Sequence, residues 1–158
     1  MAKYNQLVFL DGKEKALDAL FIGGVGGSSN PAVFGYLAIG YNEDITGFED
    51  PANDEVEEDS PSNYGGFKEI KGAKGYTERI PLSPSSIPPT KDTETGQIIK
   101  KYEAELPANV ITNQLINQFA ICDNKDIDGP TQFYSAATFN QFLKTDSTSI
   151  TFIIGFKI

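Results

Sequence analysis

The sequence predicts a mainly β fold, an antiparallel β-sandwich with one short N-terminal helix and long loops. Three observations lead there. Ile150, Phe152, Ile154, Phe156 and Ile158 share one parity, while Ser149, Thr151, Gly155 and Lys157 hold the other, with Ile153 as the exception. A period of two marks a strand with one buried face. Other short runs rich in β-branched and aromatic residues are separated by clusters of Pro, Gly, Asn and Asp, the punctuation of an all-β chain. Strands do not alternate with long helical patterns, which disfavours a parallel α/β sheet.

Along the chain, Asp11 is placed to cap a helix, with Glu14 three residues on and Leu17, Leu20 and Phe21 at helical spacing. A helix over Lys13 to Phe21 is expected, closed by Gly23 and Gly24. The Gly- and Ser-rich stretch Gly23 to Asn30 reads as a connector to a strand at Val33 to Tyr41. Residues 42–66 are acidic, interrupted by Pro51 and Pro61 and without apolar period, so they predict an extended loop that does not pack as an element. Strand character returns at Gly75 to Leu82. A Pro-rich loop, 83–97, follows with Pro84, Pro88 and Pro89.

Tyr102, Ala104 and Leu106 alternate with Glu103 and Glu105, a half-buried strand. Gln114 to Cys122 and Thr131 to Gln141 form an expected antiparallel pair around the turn Asp123 to Pro130. Burying each side chain of the final alternating set is worth about 1.5 to 3 kcal/mol, an upper bound because unfolded chains are partly compact. The last strand is therefore expected inside a sheet. At 158 residues the whole chain, 1–158, reads as one domain.

Composition narrows function. No apolar run approaches the roughly 20 residues of a membrane helix, and Asp11 cuts the apolar stretch Leu7 to Leu10 short of a signal-peptide core. No membrane partner is expected, and synthesis is expected in a cytoplasm. The net charge of -9 is carried by a run of acids from Glu43 to Asp59 with no Lys or Arg inside it; the remainder is near neutral. That is the opposite of a basic phosphate-binding stripe, so no nucleic-acid partner is expected. There is no histidine, and Cys122 is the single cysteine. The commonest general base and metal ligand are thus missing, as is any internal disulfide.

Individual motifs yield little chemistry. The glycines at 23, 24, 26 and 27 suggest a phosphate cradle, but Ser28, Ser29 and Asn30 run into Pro31 and a strand, where a P-loop requires Lys and a helix. Asn124, Asp126, Asp128 and Gly129 match the opening of a calcium loop, yet the closing position, Ser135, is not Glu. A polar hairpin turn uses the same residues. Carboxylates in a Pro- and Asn-rich loop lack the fixed separation of a glycosidase pair. Cys122 sits beside Phe119, Ala120 and Ile121 and reads as a small buried apolar group. The serines have no imidazole to activate them. No catalytic, cofactor-binding or metal-ligating residue is expected, and the chain is expected not to be an enzyme.

The order of segments resembles a family of tailed-bacteriophage virion structural proteins found in fibre-attachment, collar, baseplate and capsid-auxiliary positions. The resemblance runs through KALDALFIGGVGG, YLAIG at Tyr36 to Gly40, GYTERIPL at Gly75 to Leu82, and YEAEL at Tyr102 to Leu106. It continues through INQFAICD at Ile116 to Asp123 and ATF at Ala137 to Phe139, and closes on KTDSTSITFIIGFKI at Lys144 to Ile158. The loops at 42–66 and 83–97 are longer than the family pattern. The resemblance implies a sandwich of immunoglobulin-like or jelly-roll-like outline that works by packing against other particle proteins.

The expected role is thus a capsid auxiliary or decoration protein, or a head-fibre or tail-collar adaptor. Its expected partners are capsid, portal, collar or fibre subunits and copies of itself, a trimer included, in the virion. Phe48, Tyr64 and Phe67, with Glu55, Glu57 and Glu58, are the candidate partner contacts, taken as exposed loop groups. The alternative is a glycan-binding host-attachment module using Tyr36, Tyr41, Tyr64 and Tyr134 as stacking faces. An acidic mimic of DNA that binds a basic protein is a third reading.

Overall fold

The structure, a computed structural model, describes residues 6–9, 34–45, 55–56 and 66–157. Within them the chain is mainly β, with antiparallel sheets and no helix. The strands are β1 (Gln6–Phe9), β2 (Tyr36–Gly40), β3 (Glu55–Val56), β4 (Ile80–Pro81), β5 (Ser83–Pro84), β6 (Thr90–Asp92), β7 (Gln97–Leu106), β8 (Gln114–Cys122), β9 (Phe133–Lys144) and β10 (Ile150–Lys157). The larger sheet has the order β3-β1-β9-β8-β2-β4, and the smaller has β10-β7-β5 with β6 also on β7. Every pairing is antiparallel except β1 with β3. The predicted helix at Lys13 to Phe21 and the glycine-rich connector lie outside the described residues.

The expected pair around the Asp123 turn is β8 and β9. Their register slips twice, between Ile116 and Gln118 and between Ile121 and Cys122. A bulge moves later side chains to the opposite face. The first slip puts Ile116 in the core shared with the smaller sheet, while Gln118 and Ala120 face the other way.

The main core draws on both sheets: Leu37 and Ile39 of β2, Ile121 of β8, Leu106 of β7 and Ile154 of β10 are all buried in one cluster. Aromatic rings extend it. Phe152 packs on Phe119 and Phe139 at 5.9 Å each, and Phe156 packs on Tyr102 at 5.6 Å and Tyr134 at 6.2 Å. A second cluster covers the other face of the larger sheet, where Phe67 and Phe133 lie over Ala38, Ala120 and Ala136. Gly40 makes that contact feasible, because a Cβ there would stand 2.7 Å from the Phe67 ring and 2.6 Å from the Lys68 carbonyl.

Several expectations are corrected. β10 follows the predicted parity, with Ile154 buried and Ile153 exposed, but among the described residues it lies at the edge of its sheet, not inside it. Alternation reports which face is buried, and burial against the opposite sheet produces it as well as a central position does. Residues 83–97 are not loop throughout, since β5 and β6 pair with β7 through backbone groups that need no apolar pattern. The acidic excursion likewise contributes β3, whose Glu55 and Val56 pair with Val8 and Phe9.

Of Gly75 to Leu82, only Ile80–Pro81 is a strand. Gly75 has φ +80, and a Cβ on it would stand 2.6 Å from the Asn109 carbonyl, so the chain turns there. Strand bounds also move: within the described part of Val33 to Tyr41, which begins at residue 34, the strand is Tyr36–Gly40; Tyr102 to Leu106 lengthens to Gln97–Leu106; and Thr131 to Gln141 becomes Phe133–Lys144.

Candidate functional site

Beside β4 a cleft of about 760 Å3 opens between residues 66–71 and the turn at 127–133, with Arg79, Glu69, Phe67 and Phe133 in its wall. Arg79 is 4% exposed and is the only arginine in the chain. Its Nε donates to Glu69 Oε2 at 2.9 Å and one terminal nitrogen donates to Glu69 Oε1 at 2.8 Å, the two-pronged geometry that suits a carboxylate. The other terminal nitrogen donates to the carbonyls of Asn124 and Asp126, both at 3.0 Å, and to Thr131 Oγ1 at 2.8 Å. The Ile127 carbonyl, at 3.4 Å, completes the set. The guanidinium also lies 5.5 Å from the centre of the Phe133 ring.

Tyr76 joins from the core side. Its hydroxyl donates to Glu69 Oε2 at 2.7 Å and accepts from the Ile39 N–H at 3.1 Å. Burial, then the adjacent Glu69 carboxylate, hold that phenol well above its ordinary 10.0. Burial alone would lower the Arg79 pKa, but the hydrogen bonds it donates to Glu69 and the Coulombic pull of Cys122, Glu69 and Tyr76 together outweigh it, and the guanidinium is held above its usual value.

This cluster explains the calcium-like turn. Asn124 Oδ1 accepts the Asp126 N–H at 2.9 Å and Asp126 Oδ1 accepts the Asp128 N–H at 3.0 Å, so these side chains fold the turn upon itself. The carbonyls that converge inward meet a cation, and the cation is Arg79. Among the described residues no group of three or more acidic or cysteine side chains is placed to hold a metal ion.

Arg79 is one of several buried polar side chains with the same task. Gln118, fully buried, accepts the Lys68 N–H at 3.0 Å and donates to the Gly66 carbonyl at 2.9 Å. Asn117 exchanges hydrogen bonds with the Asn42 backbone at 3.0 and 2.7 Å. Lys144, fully buried at the end of β9, donates to the carbonyls of Ala108 at 2.9 Å and Thr145 at 2.8 Å. Burial pushes its ammonium pKa down, against the Asp146 carboxylate, which raises it. Each clamps a loop to a strand by satisfying backbone groups that would otherwise be buried without partners.

Of the predicted contact residues, Phe67 is overturned as an exposed anchor. It is 4% exposed and packs on Phe133 at 5.6 Å, because the Gln118 clamp draws residues 66–68 down on the sheet. Glu55 has its backbone in β3. Phe48, Tyr64, Glu57 and Glu58 lie outside the described residues. Among the tyrosines proposed as stacking faces, Tyr134 is packed at 5.4 Å on Phe34 as well as on Phe156, and Tyr64 also lies outside. Sequence reasoning passed over Arg79, Glu69, Gln118 and Lys144. The one available signal was a lone arginine in a lysine-rich complement of 13 basic residues.

Cys122 is buried and free, as its apolar neighbours indicated. Burial raises its thiol from 9.0 to about 12, against the lowering pull of Arg79. The unfolded chain therefore releases this proton first. The associated stability is intact below pH 9 and falls by about 1.4 kcal/mol per pH unit above it, until the folded thiol ionises. C122A is expected to flatten that limb. Denaturant midpoints of both proteins at pH 8, 9 and 10 isolate the thiol, since Tyr76 and Lys144 are common to the two; parallel curves would refute the assignment.

Comparison with protein families, with curated proteins and with solved structures finds no match to this chain.

Proposed function

We propose that this chain is a structural part of a tailed-phage virion, a β-sandwich that acts through protein–protein packing as a capsid auxiliary or decoration protein or as a head-fibre or tail-collar adaptor. The observation that carries the reading is the set of clamps. Arg79, Gln118, Asn117 and Lys144 direct their buried polar groups at the chain's own backbone, holding the segments at 42, 66–68, 108 and 124–131 in one geometry. A part that works by shape benefits from loops that lose little entropy on contact. The family resemblance of the sequence supplies the particle context. The acidic run from Glu43 to Asp59 suits a basic surface on a neighbouring subunit.

The test is made on particles. Virions purified by density from an infected lysate are expected to contain the chain in fixed ratio to the other particle proteins. Charge reversal at Glu57 and Glu58 is expected to lower that ratio severalfold without changing the melting temperature of the free protein. A chain found only in the soluble fraction sinks the proposal.

A further inference from the structure

The sheet edges differ in a way that points to a partner. A strand edge carries unpaired N–H and C=O groups, and proteins blunt such edges by keeping the strand short or by placing Pro, a charge or a bulge on it. Three edges are blunted: β3 and β4 have two residues each, β5 has two and β6 three, and Pro81 and Pro84 lie in β4 and β5. β10 is the exception. It runs for eight residues, pairs with β7 without a register break, and has no strand on its other side among the described residues. From Ile150 to Phe156 it holds no charged residue and no proline, its one charge being Lys157 at its end, in a chain of net charge -9. Ile153, on its outer face, is 53% exposed.

We propose that β10 is the contact strand of a homodimer, pairing antiparallel with β10 of a second copy about a two-fold axis through Ile153 and joining the two small sheets into one. A second copy is the occupant that the chemistry favours. Two chains of like net charge repel, and Ser149 to Phe156 is a stretch through which they can meet without bringing like charges together. The register follows from the pleat. Residues directly opposite must point to the same face, so a two-fold axis normal to the sheet pairs only positions of equal parity. Centring at 153 pairs all of 150–156, with Phe152 opposite Ile154 and Thr151 opposite Gly155. It keeps the buried faces of both copies on one side and covers each exposed Ile153 with its own counterpart.

The inference rests on the packing reading only in taking contact between copies as part of the chain's work. It is tested on the purified chain without any particle, so its failure is separate from failure of the virion assignment. Light scattering after size exclusion is expected to give twice the chain mass, and I153K, which sets two ammonium groups across the axis, is expected to weaken the dimer at least tenfold, with a melting temperature equal to that of the native chain at dilutions where both are monomers. Under mild oxidation I153C is expected to cross-link to its own copy. T151C, four residues out of register with itself, is not, nor is the native chain, whose Cys122 is buried. A monomer at every concentration, a trimer, or a dimer in which I153C cross-links no better than T151C overturns the proposal.

Discussion

Arg79→Met is expected to destabilise the fold by about 3 to 5 kcal/mol, the cost of removing one partner from a buried ion pair. Methionine matches the length of the stem but supplies neither charge nor donors. The Glu69 side chain, 7% exposed, would lose its cation and keep Tyr76 as its remaining neighbour from the cluster. The carbonyls of Asn124, Asp126 and Ile127 would lose the group on which they converge, and each buried group left unpaired costs roughly 1 to 3 kcal/mol. Lysine is no substitute, because a single ammonium cannot span a carboxylate and three carbonyls. Glu69→Gln is expected to do less harm, since the amide oxygen still accepts from Tyr76 and the guanidinium keeps its carbonyl partners. With E69Q in place no carboxylate is stranded, so the double variant should be more stable than the two single losses add up to. Urea melts of the four proteins test this, and an R79M midpoint within 1 kcal/mol of the native chain would refute it. Against the 5 to 15 kcal/mol of a typical domain, the expected loss is close to unfolding.

That the cluster carries such weight was not legible in the sequence, although much of the sheet was. Strand composition and alternation are local properties; Gln114–Cys122 emerged from the first and the parity of Ile150 to Phe156 from the second. A clamp is a long-range property. Arg79 meets carbonyls some 45 to 48 positions away and Gln118 meets Gly66 across 52, and no period or propensity encodes such pairings.

Exposure failed for the same reason at Phe67. It follows the acidic stretch and two glycines, so the local pattern reads as loop, yet a glutamine 50 to 52 positions further on pins its neighbours and turns the ring inward. The turn at Asn124 shows the complementary case. Its Asn, Asp and Gly content predicted a polar turn, whereas the convergence of its carbonyls on a guanidinium of the same chain required the fold. Lateral position in a sheet was equally hidden. Ile154 is 8% exposed and Ile153 is 53% exposed, as parity demands of any strand with one covered face, central or edge.

Because β10 is an edge strand among the described residues, its contribution there comes from its inner face and from one ladder of backbone bonds, and that is still enough to decide folding. Deleting Ile150 to Ile158 is expected to abolish cooperative folding. The truncation strips β7 of a partner across eight residue pairs. It also uncovers Phe119, Phe139 and Tyr134, against which Phe152 and Phe156 pack, and takes Ile154 from the main core. Loss of one well-packed Phe costs about 3 to 5 kcal/mol; two, with an isoleucine, exceed what a domain of this size holds in reserve. Near-ultraviolet circular dichroism of the truncated chain should show no fixed aromatic signal, and a sigmoidal melt would contradict this account. Single substitutions separate face from edge. Phe152→Ala should be strongly destabilising, towards the lower end of that range because the ring is only half-buried, whereas I153K, one position along, should leave stability within about 0.5 kcal/mol. Equal losses at the two positions would mean that β10 is covered on both faces, and the burial that gives the strand its alternation would then have to be assigned anew.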